Sequence, residues 1–440
     1  MIVPLGIGAY KRGAAFVPET RLVNLYLEED RSGVSPDKTM RVQRPGLTLQ
    51  HDYGAPIRGV GYQLATGETI VAAGGGLYSG TSQIASIAGD GATPMVATRF
   101  ALATLAAGQV YLRGDETTLV LMPDERTVQD VDQLNQYLLL LCPDGRFYWI
   151  VPGEIEVDPL NFATAESSAD AALAIRRVGD EFWIFGTETV EVWQPTGDQD
   201  APFQPVSGRN YERGCLARDT VRRFDNSVMW VSDDLQVCRG GAVPEVVSDE
   251  GIAERLRKRA GEPSAFTFRH DGHEFYVLRI PGQGSFAYDA RTRAWSEFAS
   301  YQSTLWRPHV GCQVTGGRSV VGDSDSGALW QIDGEAATDA GTPIERIVTG
   351  TVGLMGQSGR NDSLAVGVGA SADCEIRIRW RDGQEGYPAH PEVLEVRAPF
   401  DVANLYRLGV PLEPYREIEI SCVDNARIRI GGCKANEAWA

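Results

Sequence analysis

Two pairs of carboxylates stand close together in the chain, Glu188 with Glu191 and Asp233 with Asp234. Glycosidic bond cleavage needs two carboxyl groups about 5–10 Å apart on either side of a sugar. Neighbours on one hairpin turn do not face each other in that way, so both pairs read as solvated turn residues. His270 and His273 are the close pair among the five histidines, and the Asp271-Gly272 between them spells a β-turn rather than a metal site. "GDSDS", from Gly322, misses the G-x-S-x-G nucleophile elbow because Ser326 stands at the second glycine. Asp323, Asp325 and Gly327 have the opening spacing of a calcium loop, but calcium takes six or more oxygens and no acid closes this one. A tight hairpin turn is expected there. The seven cysteines, Cys142, Cys215, Cys238, Cys312, Cys374, Cys422 and Cys433, are scattered, with no C-x-x-C or Cys/His cluster. They predict buried free thiols and no zinc. These residues predict no catalytic site, no cofactor and no metal.

The elements that carry them are β-rich. With 49 glycines in 440 residues and many short apolar runs between turn residues, the chain reads as all-β. Its net charge of −18 argues against reading nucleic acid through a basic patch. The opening "MIVPLGIGAYKRG" has no signal-length apolar run, and no stretch of about 20 apolar residues occurs. Both features predict synthesis in a reducing cytoplasm and no membrane insertion.

One phrase recurs. "DEFWIFGTETVEVWQPTG" (Asp180 to Gly197), "NSVMWVSDDLQVCRGG" (Asn226 to Gly241), "HEFYVLRIPGQGSFAYDARTRAWSEF" (His273 to Phe298) and "GRSVVGDSDSGALWQIDG" (Gly317 to Gly334) each run strand, short turn, strand. Setting Trp183, Trp230, Tyr276 and Val320 in corresponding places gives steps of 47, 46 and 44 residues. Such a period with hairpins in each unit predicts a β-propeller, because a blade hides its two faces only against neighbouring blades. Weaker units at Glu68 to Gly80, Gly108 to Met122 and Arg146 to Pro159, the last with Tyr148 set against Trp183, bring the count to six or seven, with seven preferred. "SDEGIAERLRKRAGEP" (Ser248 to Pro263) has a Ser cap, early acids and late bases, and predicts a short helix held by Ile252 and Leu256.

From about Thr351 the alternation becomes strict. Ile376, Ile378 and Trp380 share one face and Arg377, Arg379 and Arg381 the other; Arg427 and Arg429 alternate with Ile428 and Ile430. Period two predicts half-buried antiparallel strands. The expected organisation is an extended N-terminal arm over residues 1–50, whose last strand completes a blade, a propeller over 51–350 and a C-terminal β-sandwich over 351–440. The five arginines, Arg377, Arg379, Arg381, Arg427 and Arg429, are candidate protein-interaction residues in an acidic chain. The competing reading pairs them with Glu375, Glu417 and Glu419 on neighbouring strands.

Several phrases are more specific. "RLVNLYLEED", "QRPGL", the run from Asp158 to Gly197, "RGCLARDTV", and the hairpins from His273 and Val321 occur in that order. Together they resemble the tail hub proteins of short-tailed bacteriophages, also called packaged DNA stabilisation proteins or tail accessory factors. The resemblance spans roughly Arg21 to Gly350 and carries no catalytic residue. It implies a structural virion protein that forms a ring of six copies below the portal and its head-to-tail adaptor. Such a ring closes the tail channel, keeps packaged DNA inside without binding it specifically, and anchors a tail needle, fibres or spikes. A Kelch-like or glycan-binding propeller is the alternative. "YDARTRAW" (Tyr288 to Trp295) with the paired glycines at 240–241 and 316–317 has a Kelch flavour, but the full set occurs about once. "DSDSGALW" (Asp323 to Trp330) nearly matches the S-x-D-x-G-x-T-W box of sialidases, with Asp323 and Leu329 out of pattern, and that box is a turn device.

Overall fold

A computed structural model describes residues 2–9, 19–29, 38–165, 170–352, 363–383, 386–409 and 415–436. Five four-stranded antiparallel sheets cover residues 57–86, 95–119, 130–164, 172–211 and 222–246, and a sixth antiparallel blade over 264–298 forms one end of a nine-stranded sheet. A seventh takes three strands from 308–333 and its outermost strand, Gly46–Asp52, from the N-terminal side of blade 1. The innermost strands touch in sequence around a ring, and Pro308–Gln313 of blade 7 meets Ile57–Gln63 of blade 1. This is a seven-bladed β-propeller, closed by pairing a strand from before the first blade with the last.

Among the described residues, seven apolar clusters fill the seven interfaces, one each. The repeating phrase supplies them, because it is the middle hairpin of each blade and its two side-chain faces serve two different interfaces. The correspondence of Trp183 with Trp230 is off by one residue. Trp183 faces blade 5 and Trp230 faces back to blade 4, so they meet at 6.3 Å between ring centroids in one interface. The residues sharing the backward face are Ile184, Trp230, Tyr276 and Val321, with steps of 46, 46 and 45. A one-residue slip flips every side chain to the other face. Tyr148 is likewise misplaced against Trp183, since it lies on the third strand of its blade, Arg146–Ile150, and the second is Tyr137–Leu141.

The one α-helix among the described residues, Glu250–Arg257, buries Ile252 and Leu256 between blades 5 and 6. Its cap is Asp249, whose carboxylate accepts from the Ile252 amide at 2.9 Å. Ser248 instead bonds the Val237 amide and Gln236, outside the helix.

A second β-layer flanks blades 6 and 7. One of its sheets contains Leu22–Val23, Arg346–Val352, Arg416–Cys422, Cys374–Asp382 and Glu392–Val396; the other contains Leu25–Glu29, Thr39–Gln43, Ile428–Ala435, Ser363–Ala370 and Phe400–Tyr406. A single apolar core joins Leu22, Val348, Ile378 and Ile420 of the first to Leu25, Val366 and Ile430 of the second. The N-terminal strands over 22–43 are thus part of this layer rather than an extended arm, because they pair along edges the C-terminal strands leave, as Leu5 and Ile2 do by bridging Gly350 and Lys434. Asn24, at φ 54°, turns the chain from one sheet into the other. Val23 also pairs in parallel with Glu297, which welds the first sheet to blade 6.

Arg346 is fully buried in this layer, and among the described residues no carboxylate pairs with it. Its guanidinium donates to the Ile344 and Asp424 carbonyls and, at 2.8 Å, to Cys422 Sγ. The Cys374 thiol, donating to the same sulfur, and then the Arg346 charge hold Cys422 below its ordinary value against the opposing effect of burial. A thiol lowered in the folded state adds stability that is complete above its ordinary value, about 8.5, and lost as pH falls through the folded value. The expected result is that Cys422→Ser lowers the denaturant midpoint far more at pH 9 than at pH 6. An equal loss at both would show the sulfur to be a neutral thiol.

Candidate interaction surfaces

The five arginines fall on two sheets. Arg377, Arg379 and Arg381 alternate along Cys374–Asp382, next to Arg416–Cys422. Arg379 stands opposite Glu419 and Arg381 opposite Glu417. Arg379 donates to Glu419, with Nε at 3.0 Å, and Arg381 reaches Glu417 at 3.0 and 3.1 Å. Both glutamates are buried, at 3% and 2% exposure, under these guanidiniums and under Tyr387, whose hydroxyl donates to Glu417. The Tyr387 ring lies 5.0 and 4.7 Å from the two guanidinium carbons. The outward face therefore reads as a cross-strand ladder, with Thr349 and Thr351 continuing it beyond the glutamates. Beside it, Arg416 grips Asp382 through two bonds of 2.7 and 2.8 Å. Arg377, further along, is exposed and pairs with no carboxylate among the described residues.

Arg427 and Arg429 belong to the other sheet. Arg427 crosses to the propeller and bonds Glu335 at 2.9 Å, just after the third strand of blade 7. Arg429 is exposed and, like Arg377, has no carboxylate partner among the described residues. The structure therefore brings Arg379 and Arg381 together over buried acids, spends Arg427 on the junction with the propeller, and leaves Arg377 and Arg429 apart and open.

The turn residues take structural roles. Asp271 and Gly272 both have positive φ, the two-residue turn their types predict. His273 Nδ1 meets the buried Asp289 at 2.8 Å, and Thr292 and the Arg291 amide bond the same carboxylate. Asp323 ties the "DSDSG" turn by accepting from the Asp325 amide at 2.9 Å, from Ser326 and from Arg307. Asp234 faces Arg213 at 3.8 Å.

Sequence reasoning missed a buried node at the junction of propeller and second layer. Arg44 is fixed by Asp339 through two bonds of 2.9 and 2.7 Å, by Asn24 Oδ1 at 2.7 Å, and by the carbonyls of Pro45 and Ala299. Its guanidinium lies 4.8 Å from the Trp306 ring centroid. Asn24 also accepts from the Ala299 amide at 2.9 Å and donates to Glu345 O at 2.7 Å. Gly46 follows, where a Cβ would lie 2.3 Å from Thr338 O, and Gly214, where it would lie 2.1 Å from Thr187 O. The only available signal was that "RLVNLYLEED", "QRPGL" and "RGCLARDTV" hold a polar residue or a glycine within apolar runs.

The geometry defines a β-propeller scaffold, with a second β-layer joined to it by strand pairing and by the buried Arg44–Asp339 pair, and its titratable turn residues used as struts. The chain belongs to the family described as "Bacteriophage P22 Gp10, beta-propeller", whose pattern matches residues 1–337. Among individual proteins it is 26% identical over 266 residues to "Tail hub protein gp10" of Salmonella phage P22, a match covering 54% of this chain and 56% of that protein. The match thus spans little more than half the length of that relative. Among solved structures it is similar to YCF48 from Cyanidioschyzon merolae, at TM-score 0.44 and 11% identity over 66% of this chain and 99% of that one. A similar likeness, at TM-score 0.45 and 11% identity over 66% and 99%, holds for the WD40 repeats of RRP9.

Proposed function

We propose that this chain is a tail hub of a short-tailed phage virion, a structural protein and not an enzyme. In this reading it forms a ring, of six copies, beneath the portal and its adaptor. The ring closes the tail channel over the packaged DNA and gives attachment surface to a needle, fibres or spikes. The observation that carries the reading is membership of the P22 Gp10 family over residues 1–337, with the likeness to the phage P22 tail hub protein. A scaffold in which carboxylates pair with arginines inside the fold suits such a role. An image of the native particle tests it: density for a ring of this fold below the portal is the expected result. A purified chain that stays monomeric at all concentrations and is absent from virions would overturn it.

Arg377 and Arg429 are proposed as contact points for an acidic neighbour, either the next subunit or the adaptor, with complementary charge setting the register. Arg379 and Arg381 suit such a test less well, because removing them strands Glu417 and Glu419 as buried, unpaired carboxylates. Arg377→Ser combined with Arg429→Ser should leave the subunit folded and weaken ring or adaptor assembly, most at low salt, where the charge attraction is least screened. Particles of unchanged yield and salt tolerance would reduce both residues to solvated surface.

The acidic surface also predicts that duplex DNA slides past. With a net charge of −18, the purified protein should bind duplex DNA no tighter than the non-specific range of about 10⁻⁴–10⁻⁶ M at physiological salt. Tight binding that falls steeply with salt would contradict passage without adhesion.

A further inference from the structure

The propeller axis runs against the charge of the rest of the molecule. A cavity of about 310 Å³ lies between the inner strands, bordered by Arg58, Asp132, Arg176, Asp219, Arg222 and Arg223. A second space of about 510 Å³ continues from it past Arg223, with Arg177 and Arg269 at its border. In a chain carrying −18, arginines outnumber carboxylates here.

The pairing can be followed residue by residue. Asp130, behind the wall, takes Arg176 and also accepts from the Ile175 amide at 3.0 Å. Asp219 takes Arg218 at 3.0 Å. Asp132 accepts from the Arg177 amide at 2.9 Å and forms an ion pair with Arg223 at 3.6 Å, too long for a hydrogen bond. Arg58 is used up by three carbonyls, of Gly91, Gly74 and Ala88, at 2.8, 2.7 and 3.0 Å. Arg222 has no such closure. Its Nε donates to Ala265 O and one terminal nitrogen to Val221 O, both at 2.8 Å. The other terminal nitrogen makes no hydrogen bond, and no carboxylate lies within ion-pair distance among the described residues. Arg223, the next residue, makes no hydrogen bond through its guanidinium and borders the same cavity.

We propose that the channel binds a small tetrahedral oxyanion of the phosphate or sulfate class, held by the open nitrogen of Arg222 and the guanidinium of Arg223. A guanidinium cannot shed its charge at neutral pH, and a partly buried cation that no carboxylate contacts directly carries a desolvation penalty that a bound anion offsets. Burial and then the neighbouring Arg176 charge pull Arg222 down to about 10, a loss that Asp219 and Asp130 nearby only partly offset. Several acceptors on one anion match donors from two guanidiniums better than a single halide does. The site is complete within one chain and does not depend on ring assembly.

Titration calorimetry of the full chain with inorganic phosphate, at constant ionic strength set by chloride, tests the site. The expected result is one saturable site, with a thermal midpoint that rises as phosphate is added. Arg222→Gln should weaken binding by about tenfold or more, equivalent to at least ~1.4 kcal/mol. Arg223 has a half-exposed side chain, so Arg223→Gln should fold whatever the other variant does, and should weaken binding similarly. Binding absent beyond the chloride control, or an Arg223→Gln protein that takes up phosphate as tightly as the native chain, would overturn the assignment.

Discussion

Replacing Asp339 with alanine should cost about 3–5 kcal/mol, because it leaves a fully buried guanidinium without its carboxylate. Arg44 has no exposed side-chain surface, and Asp339 supplies both of its ion-pair bonds. The loss should be read as a lower denaturant midpoint and as loosening of residues 22–43 from the propeller. The partner substitution Arg44→Met should also be destabilising, since it strips Asn24 Oδ1 of one donor and removes the cation from Trp306. The double variant Arg44→Met, Asp339→Leu is the informative one. With both charges gone no buried charge is stranded, so it should recover a large part of the loss, as buried pairs often tolerate apolar replacement. Single variants that lose less than about 1 kcal/mol would place the node in the class of weak surface pairs.

Trp230→Ala should destabilise the propeller by about 3–5 kcal/mol, the usual range for removing a buried large aromatic. Trp230 is 0% exposed between blades 4 and 5, beside Trp183 and Phe185, and its indole nitrogen donates to Gly214 O at 3.1 Å. Alanine leaves a cavity that the flanking blades cannot close, because each blade is held from its other side. It also leaves the Gly214 carbonyl without its donor, at the glycine whose Cβ position is filled by Thr187. Trp230→Phe should lose much less, keeping most of the volume and forfeiting the hydrogen bond. Near-equal midpoints for Trp230→Ala and the native chain would mean that blades 4 and 5 repack freely.

The charge distribution unites these results. Acids dominate the exposed surface, while Arg41, Arg44 and Arg346 rank among the largest fully buried side chains. Arg41 and Arg346 lie where the N-terminal and C-terminal strands meet each other, and Arg44 where they meet the propeller. Arg41 donates to Leu5 O at 2.9 Å, and Arg346 spans Ile344 to Asp424. Long side chains with several donors suit a junction built from strand ends, where carbonyls are left without ladder partners.

The recurrence near 46 residues, the two-residue turn at Asp271-Gly272, the helix at Glu250–Arg257 and the one-sided strands at Ile376 and Ile428 could all be read from residue order. Each rests on contacts between residues close in the chain, where turn chemistry and side-chain period act locally. The plain roles of Asp233, Asp234 and "DSDSG" followed from the same local rules, but Glu191, expected on a solvated turn, is buried on the strand Val190–Pro195, because the strand begins one residue before it. Which face of each hairpin served which interface could not be read, because a one-residue shift reverses it and only the wedge of the neighbouring blade decides. The placement of Leu22–Val23 against Arg346–Val352, and of Gly46–Asp52 as the last strand of blade 7, joins residues some 280–330 positions apart. The arginines show the same division. Alternation put Arg377, Arg379 and Arg381 on one face, but register against Arg416–Cys422 decided that two of them cover buried glutamates. The pairing of Asn24, Arg44 and Asp339, and the open nitrogen of Arg222, exist only once the ring has closed. Edge strands pair with whatever edge the fold leaves open, and that is a property of the assembled sheets rather than of any segment.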